Sequence, residues 1–110
     1  MDHEQEIMQI ISKAGDARSD YLKALKKARN SKWNDVENLV EDANENLTEA
    51  HNVQTKLIQQ EIKGESVSIS LLMVHAQDHL MNAITVSDLS REIIEFYRGK
   101  HEKGDLNDKE

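Results

Sequence analysis

The chain has 110 residues, of which 37% are hydrophobic and 32% charged, with no proline, no cysteine, four glycines and a formal net charge of -7. Such a length fits one domain with a single core. The absence of cysteine excludes disulfides, thiolate metal sites and a cysteine nucleophile, and the acidic balance argues against nucleic acid or an anionic membrane surface as partner, because either calls for a basic patch.

The first element is a helix. Ile7, Ile10, Ile11, Ala14, Ala17, Tyr21, Ala24, Leu25 and Ala28 recur at steps of three and four. Asp2 is the candidate cap, with Gln5 three residues on, and the helix is expected to end near Asn30. Gly15 falls inside the pattern at a cost of up to about 1 kcal/mol relative to alanine, which predicts a bend or a close contact there. The second helix carries Val36, Leu39, Val40, Ala43, Leu47, Ala50, Val53, Leu57, Ile58 and Ile62, with Ser31 as candidate cap and Gly64 as stop. Its acidic residues Asp35, Glu37, Glu41, Asp42, Glu45 and Glu49 read as a solvated face rather than a metal site. Gln54 interrupts the apolar stripe and reads as a hydrogen-bonded core amide, and His51 as structural or exposed. A third helix is predicted from near Ser66 to Gly99. The expected architecture is all-α, an antiparallel three-helix bundle over residues 1–99, followed by a disordered tail over 100–110 that lacks periodicity and apolar content. No apolar run approaches the about 20 residues that span a bilayer, and the polar start "MDHEQE" does not read as a signal peptide, so a soluble cytoplasmic protein without direct membrane insertion is expected.

The third helix contains "LLMVHAQDHLMNAI", residues 71–84. With His75 at zero and about 100° per residue, Ile69, Leu72, Met73, Ala76, Leu80, Ala83 and Ile84 fall on one broad face, suited to the bundle core. Val67, Leu71, Val74, Met81 and Leu89 form a second apolar face, with Asp78 inside it. One helix of a three-helix bundle does not need both faces. The second is therefore expected to pack against copies of itself, placing helix 3 at the centre of a homo-oligomer. An isolated carboxylate there must be protonated, paired or cation-bound, and copies of Asp78 gathered on a symmetry axis would favour a shared proton or a hard divalent ion. His75, His79 and Asn82 lie on the seam between the two faces, where a groove between subunits would open.

Zinc chemistry fits poorly, because "HAQDH" lacks the glutamate beside the first histidine and a third ligand. Serine-hydrolase, phosphate-loop and glycosidase patterns are absent. A histidine nucleophile needs an unprotonated ring nitrogen, an orienting neighbour and an accessible rim, and His75 can have all three. The residue-level reading leaves two classes open: a phosphocarrier, and a non-catalytic metal-binding helical scaffold.

The segments "AGDARSDYLKALKKAR", "AHNVQTKLIQQE" and "LLMVHAQDHLMNAI" together resemble the enzyme IIA family of the lactose and cellobiose-type sugar phosphotransferase system, over about residues 5 to 98. The resemblance implies that His75 is the phosphoryl acceptor, that His79 supports it, and that Asp78 sits at the axis of a homotrimer around one divalent metal, Mg2+. It implies phosphate arriving from the histidine phosphocarrier protein HPr and leaving for a cysteine of the IIB component, with the membrane IIC component importing the sugar. The helix 3 segment looks closer to cellobiose-type than to lactose-type members.

Overall fold

The computed structural model describes residues 3–108, with side chains described for 3–103. Three helices, α1 (Glu4–Arg29), α2 (Trp33–Ile62) and α3 (Leu71–Asp108), make an all-α up-down-up bundle 66 Å long, without strands among the described residues. α1 is the shared element. It packs along its length against both other helices, while α2 and α3 scarcely meet.

All three predicted helices form, and the first two keep close to their expected bounds. In α1, Ile7, Ile10, Ala14, Ala17, Tyr21, Ala24 and Ala28 are buried, Glu4 and Glu6 occupy the first turn and Lys26, Lys27 and Arg29 the last, complementing the helix dipole. The Asp2 cap lies outside the described residues. His3 precedes the helix in the left-handed region, and its Nδ1–H donates to Glu6 Oε1 at 3.2 Å. Gly15 breaks the expectation of a bend or close contact: α1 continues through it, and a Cβ there would meet nothing within 4 Å.

The two connections end their preceding helices in the same way. After α1, Ser31 N–H donates to Ala28 O and Lys32 N–H to Lys27 O; after α2, Gly64 N–H donates to Glu61 O and Glu65 N–H to Gln60 O. Both are Schellman closures, which need a left-handed residue just past the helix. That residue is Gly64 (φ 91) in one and Ser31 (φ 59) in the other. Ser31 therefore does not cap α2, as the sequence suggested. It closes α1, and Lys32 occupies the position before α2.

α3 begins later than expected, at Leu71 rather than near Ser66. Ser70 Oγ accepts from Met73 N–H at 3.1 Å, an N-cap bond that fixes the start. Ile69, assigned to the core face, lies before the helix and is exposed, whereas Val67, assigned to the outer face, packs against the core. The far boundary also moves. α3 runs past Gly99 to Asp108, so the expected tail is helical over 100–108, and the rest of it lies outside the described residues. The cause is a contact the apolar pattern does not register: the Trp33 ring lies 5.8 Å from the His101 ring and 4.9 Å from the Arg98 guanidinium, and Ser31 Oγ lies 3.4 Å from His101 Nδ1. One glycine costs about 1 kcal/mol, too little to stop a helix already propagating.

The core is continuous along the bundle. Ile7, Ile10, Ala14, Ala50, Leu57, Met73, Ala76, Leu80 and Ala83 fill the end near the start of α3, and Ala24, Ala28, Val36 and Ile94 the other. Tyr21 is fully buried between them, its hydroxyl donating to Asn44 Oδ1, which also accepts from Arg91 Nη2 at 3.1 Å. Asn44 thereby ties all three helices together. The six acidic residues of α2 are exposed, with Asp35 3.7 Å from Lys27 and Glu49 3.0 Å from Lys13, so they form a solvated face.

A histidine pair on the seam of α3

The site is built on the best-anchored stretch of α3. Ala76, Leu80 and Ala83 are fully buried against α1, which fixes the rotation of the helix and leaves His75 exposed and His79 half-buried. Being four residues apart, the two imidazoles share one face. Their Nε2 atoms are 3.0 Å apart, and the rings meet edge to face at 90° with centroids separated by 4.4 Å. One Nε2 must donate and the other accept, so one ring of the pair presents an unprotonated Nε2. This is the requirement for a histidine nucleophile.

The surroundings of the pair are unequal. On one side His75 borders an apolar hollow with Leu71 and Leu72. On the other, His79 lines a groove of about 390 Å³ with Arg18, Asn82, Thr85 and Val86, where α1 faces α3. Thr85 Oγ1 donates to Met81 O at 3.1 Å, so its hydroxyl proton is already engaged. Gln77 points away from the histidines: it accepts from Gln54 Nε2, and its own Nε2 lies 3.6 Å from Met73 Sδ. Gln54 is thus the hydrogen-bonded amide that its interruption of the α2 stripe suggested, and His51 is exposed. On α1, Asp20 has its pKa raised above the ordinary carboxylate value by burial, with Lys23 opposing and Asp42 and Asp16 adding to the rise.

Asp78 is exposed on the outer flank, with no ion pair among the described residues. Around it Leu71, Val74, Met81 and Leu89 are 86, 53, 54 and 58% exposed. Phe96, 63% exposed, extends the same line and was missed in the sequence. Its position, eighteen residues beyond Asp78 and so five full turns, is the signal that would have found it. Arg18 is not singled out by the sequence either, which suggests only that the stretch "GDARS", residues 15–19, borders the groove of a neighbouring subunit. No group of three or more metal-binding side chains occurs among the described residues of the subunit, so any ion at Asp78 would need carboxylates from several copies.

Comparison with known proteins is consistent across sequence and structure. The family model for the lactose/cellobiose-specific IIA subunit of the phosphotransferase system matches residues 5–98. The chain is 47% identical over 90 residues to the lactose-specific EIIA component of Staphylococcus epidermidis, covering 82% of this chain and 86% of that protein. It is 49% identical over 94 residues to the lichenan-specific phosphotransferase enzyme IIA component of Bacillus subtilis, covering 86% of each. The crystal structure of the cellobiose-specific enzyme IIA from Bacillus anthracis superposes with a TM-score of 0.88 at 44% identity, covering 94% of both chains.

Proposed function

Because this chain belongs to the lactose/cellobiose-specific IIA family of the sugar phosphotransferase system, whose members carry phosphoryl groups from HPr to IIB, we propose that His75 is the residue that holds the phosphoryl group in transit. The observation that carries this reading is the 3.0 Å bond between the two Nε2 atoms on an accessible rim. When His79 Nε2–H is the donor, His75 Nε2 is unprotonated and its ring is held in place until that bond opens and frees the lone pair for attack.

In the first step a ring nitrogen of His75 forms a bond to phosphorus as the N–P bond of phospho-HPr breaks, and the electron pair returns to the HPr imidazole. In the second, the thiolate of the IIB cysteine forms a P–S bond, the N–P bond at His75 breaks, and its electron pair returns to His75. No proton need be gained or lost overall when the thiol enters as thiolate. Transfer of this kind passes through a loose transition state that asks chiefly for in-line positioning and charge stabilisation. An exposed acceptor suits it, since two different proteins must reach the same atom.

The outer face of α3 supports a homotrimer centred on this helix. Leu71, Val74, Met81, Leu89 and Phe96 form an apolar line that the subunit leaves uncovered. Threefold symmetry would bring three Asp78 carboxylates together, an all-oxygen donor set that suits one Mg2+ per trimer. The ion would neutralise those charges and hold the subunits together, outside the transfer chemistry. We place the carrier in the cytoplasm, in line with the lack of any helix among the described residues long and apolar enough to cross a membrane; IIC would be its pathway partner there. For the sugar, the helix 3 segment favours a cellobiose-type disaccharide. The three relatives described above, named for lactose, lichenan and cellobiose, are 47, 49 and 44% identical and do not discriminate.

The test is phosphorylation from phosphoenolpyruvate through the general phosphotransferase proteins. One phosphoryl group per chain is expected, none in His75→Ala, and continued labelling of that variant would refute the assignment. Comparing uptake of cellobiose and lactose in cells lacking this protein tests the sugar.

A further inference from the structure

We infer that Arg18 is the phosphoryl-binding cation of this site, and that the groove between α1 and α3 beside His79 is where the oxygens of the transferred group are received. The inference rests on the phosphocarrier reading above and adds to it a residue on a different helix.

Three observations meet at Arg18. It lines the groove of about 390 Å³ together with His79 and Asn82. It also stands in register with the core-facing stripe of α1: counted at about 100° per residue, it lies within about 40° of Ile7, Ile11, Ala14 and Leu25. Ile7, Ile11 and Ala14 pack into the cluster that holds Leu80 and Ala83, so the next step along that stripe faces α3 as well. Arg18 itself is exposed, so at this step the stripe gives way to a cation open to the groove. Finally, Arg18 forms no ion pair with any carboxylate among the described residues, in a chain of net charge -7.

The direction of the side chain completes the geometry. α1 and α3 run parallel, the starts of both sharing one core cluster and their later turns another. Helical side chains lean toward the N-terminus of their own helix. Arg18, level with Val86 and Asn82, thus leans back toward His79 and, one turn further, His75. A guanidinium stays charged at any working pH and matches phosphate oxygens with two parallel N–H bonds. A phosphoryl group adds about 1.5 to 2 negative charges at neutral pH, close to the exposed carboxylate of Asp78. Arg18 offsets that charge, Asn82 offers a neutral amide donor, and Val86 adds an apolar stretch to the lining.

The experiment compares wild type with Arg18→Ala, Arg18→Gln and Arg18→Lys. Each is labelled from phosphoenolpyruvate through the general phosphotransferase proteins, then freed of donors so that the lifetime and the 31P resonance of its phosphohistidine can be recorded. Removing a single preorganised donor from such a site slows transfer by about a hundredfold. The Ala and Gln variants should lose on that order, with a moved 31P resonance and a changed phosphohistidine lifetime. Lys should restore part of the rate, since it keeps the charge but not the fork. Equal rates in wild type and Ala would overturn the inference. So would a slower rate with lifetime and 31P resonance both unchanged, which would assign Arg18 to docking a partner, and so would equal losses in Lys and Gln. Failure of wild type itself to take up label would instead remove the phosphocarrier reading, and this inference with it.

Discussion

Leu89→Ser tests the assembly without touching the chemistry. Leu89 is 58% exposed in the subunit and belongs to none of its core clusters, so the folded subunit should scarcely register its loss. Fully burying a leucine contributes about 2 kcal/mol, and hiding the exposed share contributes roughly 1 kcal/mol per copy. Three copies meet in the proposed trimer, which makes the total about 3 to 4 kcal/mol, or two to three orders of magnitude in the association constant at about 1.4 kcal/mol per decade. Sedimentation equilibrium over a concentration series reads that constant directly, and circular dichroism checks that helix content is retained. The expected result is a trimer for wild type and, for Leu89→Ser, a distribution shifted to single subunits at concentrations where wild type is assembled. A wild type that sediments as one subunit throughout, or a variant with an unchanged association constant, would refute the reasoning.

Asp78→Leu should abolish divalent-ion binding, measured by metal analysis of the purified protein, while leaving the trimer intact or tighter, because an apolar side chain replaces a charge that assembly would bury. Retained metal would count against the axial position. Ser31→Gly should raise the stability of the subunit by about 0.5 to 1 kcal/mol in urea titrations, since Ser31 adopts at φ 59 the left-handed conformation that Gly64 adopts freely in the matching closure after α2.

The fold was legible because each helix carries a stripe at steps of three and four, and such a stripe reports a buried face directly. Its ends were less legible. The Ser70 cap is one serine among Ser66, Ser68 and Ser70, and only its bond to Met73 N–H singles it out. The helical continuation past Gly99 depends on Trp33, which is distant in sequence from His101. At the site, the i, i+4 spacing announced that His75 and His79 share a face, and the surplus apolar face of α3 was visible on a helical wheel. The Gln54 to Gln77 bond and the placement of Arg18 were not, because each depends on how one helix is rotated against another, which no single stripe encodes.

That α1 serves both neighbours at once bears on how this chain can vary. Four of its seven buried positions, Ala14, Ala17, Ala24 and Ala28, are alanine, and small residues there let two helices approach from different sides. Enlarging Ala17 or Ala24 to valine would wedge open two seams with one substitution, whereas the solvated flank of α2 can change without moving anything. Substitutions tolerated across a library of variants should therefore be scarcest on the first helix, although it carries neither of the paired histidines.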